Sequence, residues 1–161
     1  MGIKMKMNES AYLGWIGRGG DMKQAGYTIF AGTIAGVALG LLLKLAQHAT
    51  GHKVYTLLLN VDYIPVIGSL RLTELWEFAL HLIVAVALAF VLTAIANRYR
   101  LAGKSFIILC IGVNIGIAIC YYPLTGLSEK TPPLTSPTAL FIWIGAHLLS
   151  GLLLGLLLRK N

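Results

Sequence analysis

Glu74, Glu77 and His81 are spaced by three and four residues, so a helix would hold all three on one face. His147 lies at a similar depth in a later apolar run, and Asn114 lies near the middle of another. Ionisable groups inside apolar runs are costly and are kept for function or by a partner. Imidazole and carboxylate together suit a divalent metal, so Glu77, His81 and His147 could bind one, of an identity the sequence leaves open. They could equally relay protons or hold a small polar solute, since imidazole titrates near neutral pH. Bis-histidine haem, with His81 and His147 as axial ligands, is a further use of the pair. Helices drawn close by glycines leave little room for a porphyrin, so no cofactor is expected. Against all of these stands a packing reading. Glu74 falls in the first turn of its helix, where the helix dipole favours an acid. Glu77 can pair with His81 at i,i+4, and a lone span histidine can hydrogen-bond a backbone carbonyl across a close glycine contact. Asn114 is expected to bond another helix, and Lys44 to snorkel to the membrane surface. His48 and His52 could hold a metal, although a solvated pair is the better reading.

The elements that carry these residues are four long apolar runs, at about 27–45, 75–96, 106–122 and 139–158. Each is close to the roughly 20 residues that cross a bilayer. The chain has 161 residues, 57% hydrophobic and 12% charged, where a soluble domain carries about 25% charged. The expected fold is therefore all-α, a single four-helix transmembrane bundle over 27–161 behind an N-terminal tail at 1–26. Glycines at 14, 17, 19 and 20 argue against a long regular helix in that tail, which is expected at the membrane surface. No cleavable signal is visible, and the first span is expected to act as an uncleaved anchor.

Three spans carry small residues at every fourth position: Gly32, Gly36 and Gly40; Gly112 and Gly116; Gly151 and Gly155. Such stripes let helix backbones approach closely in lipid, and all seven glycines are expected at helix contacts. Cys110 and Cys120 are about 15 Å apart along one helix, too far for a disulfide, and read as small packing residues. Val54–Leu59 and Tyr63–Leu70 are apolar enough to lie in the interface or dip back among the helices. Pro123, Pro132, Pro133 and Pro137 predict a stiff, extended loop over 123–138.

The net charge is +7, but the basic residues form no face of their own, so nucleic acid is not expected as a partner. Four Lys and Arg lie in the tail, three after the second run and two at the C-terminus, against four on the other side. That bias puts both termini in the cytoplasm, with Trp76 and Trp143 in the outer aromatic belt and anionic headgroups as partners of the basic ends.

His81-x-x-x-Ala85-x-x-x-Ala89 and His147-x-x-x-Gly151-x-x-x-Gly155 place a histidine ahead of small residues on one stripe. Tyr63-Ile-Pro65-Val-Ile-Gly68 and Tyr121-Tyr-Pro123-Leu-Thr-Gly126 repeat imperfectly as well. The chain thus reads as two copies of a helical hairpin in one orientation.

These residues also carry a resemblance. Thr33-Ile-Ala-Gly36 leading to Lys44, His81, Tyr122-Pro123-Leu-Thr-Gly126-Leu, Pro132-Pro133 and Gly145-Ala-His147-Leu resemble the YagU-like bacterial inner-membrane proteins, a family without an established activity. The resemblance covers the spans and not the tail. It departs after the first span, where Gln47, His48, Thr50 and Gly51 stand in place of an acidic residue and a Pro-Pro-Arg stretch. It implies the same topology and a bacterial cytoplasmic membrane, and supplies no reaction. No lipase-type elbow surrounds Ser10 and no glycine-rich phosphate loop follows a strand, so no enzyme is expected. The leading expectation is a non-enzymatic structural or interaction protein, homo-oligomeric through an unused glycine face. The alternatives are a small transporter or channel with an outer Glu/His site, and a metal or haem protein built on His81 and His147.

Overall fold

The computed structural model describes residues 9–61, 72–128 and 130–159, with the backbone alone described for 9–21. It is all-α, with α1 Glu9–Thr50, α2 Val54–Leu59, α3 Glu74–Tyr99, α4 Gly103–Ile119, α5 Tyr121–Gly126 and α6 Pro137–Leu158. Among the described residues four helical stretches are long and apolar enough to cross a membrane: Met22–Thr50, Glu74–Tyr99, Gly103–Gly126 and Pro137–Leu158. The protein is a polytopic membrane protein.

Three sequence expectations change. The glycine-rich residues before the first span do not break it, because α1 runs back to Glu9. Glycine costs only about 1 kcal/mol per position in a helix, and a helix already nucleated in the span propagates one hydrogen bond per residue. Pro123 is not in an extended loop but in the first turn of α5, where its missing N–H leaves no helical bond unmade. The first span also continues five residues past 45 to Thr50, and the third is lengthened by α5. Pro137 opens α6 behind Ser136, whose hydroxyl accepts from the Ala139 N–H at 3.3 Å.

The helices pack as two antiparallel hairpins, α1 with α3 and α4 with α6, joined along α1 and α6. The second inter-hairpin seam is open: α3 and α4 are joined through Arg100–Ala102 yet scarcely touch. A two-fold repeat would make the two seams alike, so the helix order is a row, α3–α1–α6–α4, rather than a closed ring. The glycines differ between copies too. Those of α1 meet α3, whereas those of α6 meet α4.

Glycine explains the close seams. A Cβ on Gly32 would sit 2.9 Å from the Val86 Cα, and one on Gly36 would sit 2.8 Å from the Ala85 Cβ. On Gly151 it would lie 2.8 Å from the Cys110 carbonyl oxygen, and on Gly155 3.0 Å from the Ile107 Cα. Gly40 faces the Phe78 ring. Gly112 and Gly116 depart from expectation, because among the described residues nothing lies within 4 Å of a Cβ built on either. Spacing by four sets which residues share a stripe, and not whether another helix covers it.

Val54–Leu59 does fold back among the helices, as α2, with Val54, Tyr55, Leu57 and Leu59 buried. It caps one end of the bundle together with α5, Leu43 and Trp143. The other Tyr63–Leu70 expectation lies outside the described residues. The far half is closed by a second cluster of Ala31, Ala35, Ala89, Leu92, Phe106, Cys110 and Leu154. Cys110 is buried there while Cys120 is exposed, and both are free thiols.

Candidate functional site

The polar span residues converge on one space. A cavity of about 330 Å³ lies in the half of the bundle nearer α2, and His81, His147, Asn114, Ser150 and Glu77 all line it. Its remaining walls are mostly apolar, from Gly36 and Leu39 on α1, Leu80 and Val84 on α3, and Trp143 on α6. That size and lining fall within the range of small-molecule sites, which are apolar pockets with a few placed polar groups.

Each imidazole is held by a backbone carbonyl. His81 Nε2 lies 3.1 Å from the Gly36 oxygen, across the close α1–α3 glycine contact, and is not paired with Glu77. His147 Nδ1 lies 2.9 Å from the Trp143 oxygen, one turn earlier on α6. A carbonyl can only accept, so in the neutral rings Nε2 of His81 and Nδ1 of His147 carry the protons. The remaining nitrogen of each ring, Nδ1 of His81 and Nε2 of His147, is then an acceptor for a ligand N–H or O–H. The Trp143 ring packs against His147, tilted by 45° with centroids 4.4 Å apart, and its Nε1 donates to the Ala118 oxygen at 3.2 Å. Trp143 is buried in the bundle rather than standing in an aromatic belt, because α2 and α5 cover its end of α6. Trp76 is exposed.

Asn114 does not reach another helix. Its Nδ2 donates to the Cys110 oxygen at 2.9 Å, back along α4. Its Cβ packs where Gly151 leaves room on α6. Ser150, which sequence reasoning missed, donates to the Ala35 oxygen at 3.4 Å and ties α6 to α1. Its signal was available, since it lies three residues after His147 and so on the same helix face.

Glu74 belongs to a second space. A polar vestibule of about 460 Å³ at the α2 end is lined by Lys44, His48, Tyr55, Glu74, Glu77 and Lys130, among others. Leu59, Asn60 and Glu77 border both the vestibule and the cavity, so the two are neighbours. Lys44 ion-pairs with Glu74 across α1 and α3 rather than snorkelling alone, and the Tyr55 hydroxyl donates to the same carboxylate oxygen at 3.0 Å. Both charged partners are more than half exposed, so the pair fixes position more than it stabilises. Burial, and then the hydrogen bond to Glu74, push the Tyr55 phenol from its ordinary 10.0 up to about 12. The stability tied to that protonated phenol is present below pH 10 and is lost as pH rises through about 12. Comparing the parent with Tyr55→Phe by phenolate absorbance should remove one phenol titrating near 12; losing one that titrates near 10 instead would contradict this placement.

His48 lines the vestibule, whereas His52 Nδ1 lies 3.4 Å from the Ser136 hydroxyl at the start of α6, so the two do not act as a pair. Among the described residues no three His, Cys, Asp or Glu side chains are grouped as metal ligands.

The chain matches no protein-family model, no curated protein and no solved structure. What the fold and site define is a class: a polytopic membrane protein, with four candidate spans among the described residues and a mostly apolar cavity that several polar side chains line.

Proposed function

We propose that this protein is a non-enzymatic membrane protein that binds a small ligand in the cavity between α1, α3, α4 and α6. The observation that carries it is convergence. His81, His147, Asn114 and Ser150 come from three helices and line one space. Packing glue alone would not require a cavity between them. An apolar cluster that includes Ala35, Leu92, Phe106 and Leu154 packs the far half, which supports a site reached from the α2 end. That supports a binding or carrier role over a continuous pore. The α2 end faces outward by the charge bias, since Arg98, Arg100, Lys104 and Arg159 sit at the other end. A bacterial cytoplasmic membrane is part of the same proposal and rests on the YagU-like resemblance.

Thiol accessibility tests it. Ser150 is buried at 6% exposure yet lines the cavity. In a Cys120→Ala background, with the buried Cys110 left in place, Ser150→Cys is expected to react with a small water-soluble methanethiosulfonate added from the outer side. The vestibule supplies the route. A thiol at 150 that stays unreactive in folded protein, or reacts only from the inner side, would sink the reading.

A second reading, a structural protein that assembles with copies of itself, is favoured by Gly112 and Gly116, whose Cβ positions no described residue approaches. Under it, replacing both by leucine should abolish oligomers in mild detergent without unfolding the chain.

A further inference from the structure

The cavity borders two regions of different chemistry. One is the vestibule, where Lys44 and Lys130 stand with Glu74 and Glu77. The other is the open seam between α3 and α4. Ile83 and Val84 of α3 and Ile117 of α4 all line the cavity, and all three are exposed, at 64%, 65% and 38%. Residues that both face a cavity and lie open on a membrane-spanning helix mark a side entrance to lipid.

We propose that a bilayer phospholipid with a zwitterionic, ammonium-bearing headgroup enters sideways between α3 and α4, placing its headgroup in the vestibule and one acyl chain in the cavity against Trp143. The proposal rests on the cavity being a ligand site and names its ligand class. The shape fits an amphiphile, because a charged chamber and an apolar one meet at Leu59, Asn60 and Glu77. The charges select the headgroup. Two ammonium groups and two carboxylates line the same chamber, and Lys44 and Glu74 already form an ion pair there, so a headgroup that carries both charges can join that pair, its phosphate toward Lys44 and its ammonium toward Glu74, without leaving either charge unbalanced. A purely anionic headgroup would gain from the lysines and be opposed by the carboxylates. Deeper in, the walls are mostly apolar, from Leu80, Val84 and Leu88, as an acyl chain requires.

Trp143 supplies the probe, being 3% exposed and inside the bundle. With Trp15 and Trp76 replaced by phenylalanine, the protein is placed in nanodiscs of phosphatidylethanolamine or phosphatidylglycerol whose acyl chains carry bromine, which quenches tryptophan on contact. Brominated phosphatidylethanolamine is expected to quench Trp143 strongly when diluted among unbrominated lipid, with phosphatidylglycerol needing about tenfold more. Val84→Phe with Ile117→Phe narrows the side entrance at exposed positions and should remove the quenching while emission stays that of a buried tryptophan. Equal quenching by both lipids would overturn the headgroup match. Quenching by neither would overturn the proposal, and is also the result expected if a second copy of the chain covers the seam. Modification of Ser150→Cys without any quenching would keep the cavity as a site for a water-borne ligand and reject the lipid.

Discussion

Gly151→Leu is expected to separate α4 from α6 and to unfold the second hairpin. Even a methyl group at this position would meet the Cys110 carbonyl oxygen at 2.8 Å and the Ile111 Cα at 3.0 Å. Both belong to backbone, which cannot rotate away as a side chain tip can. Alanine alone should therefore cost about 1–3 kcal/mol, the usual cost of overpacking, and leucine more. In lipid no hydrophobic force returns the helices to each other once close contact is lost. The control lies on the partner helix. Gly112→Leu meets open space, so within one chain it should be neutral or slightly favourable through helix propensity. Unfolding measured by a denaturing detergent titration separates the two. Equal tolerance of leucine at 151 and 112 would mean that α4 and α6 are not in glycine contact.

The second large effect is at Trp143, where alanine is expected to cost about 3–5 kcal/mol, the range for removing a buried aromatic ring. The ring packs on Tyr121 at 6.3 Å between centroids and on His147 at 4.4 Å, and its Nε1 holds the Ala118 carbonyl oxygen. Removing it would empty the junction of α2, α4, α5 and α6 and free the imidazole that borders the cavity. Trp143→Phe keeps most of the volume and should cost far less, losing chiefly the hydrogen bond, about 1 kcal/mol. The same titration checks both. A Trp143→Ala protein as stable as its parent would place the ring at the lipid surface, as an interfacial anchor.

That contrast also shows what could be read from the sequence. Trp143 is six residues into α6, near enough to the helix end for an interfacial aromatic, and only the folding back of α2 over it makes it core. The four spans were legible because about 20 apolar residues in lipid have essentially one solution. The α1–α3 pairing of His81 with a glycine-exposed carbonyl was legible as a chemical option, since Gly36 and His81 both sit on small-residue stripes. The choice of which stripes are used was not. Gly32 and Gly151 meet backbone while Gly112 meets none of the described residues, and the spacing is the same in all three. Asn114 could not be assigned a partner, because bonding back one turn along its own helix leaves no mark in the sequence. The open α3–α4 seam was hidden for a similar reason. A repeat of two hairpins predicts equal seams, and only packing reveals that α1 and α6 close while α3 and α4 do not.

The central claim is that the polar span residues line a ligand site, and native mass spectrometry of the protein released from lipid nanodiscs tests it most directly. One bound molecule per chain is predicted, lost when His81 and His147 are both replaced by leucine in a protein that keeps its helical content. A bare chain mass from intact wild-type protein, across nanodiscs of differing lipid composition, would contradict it and leave the histidines as packing groups.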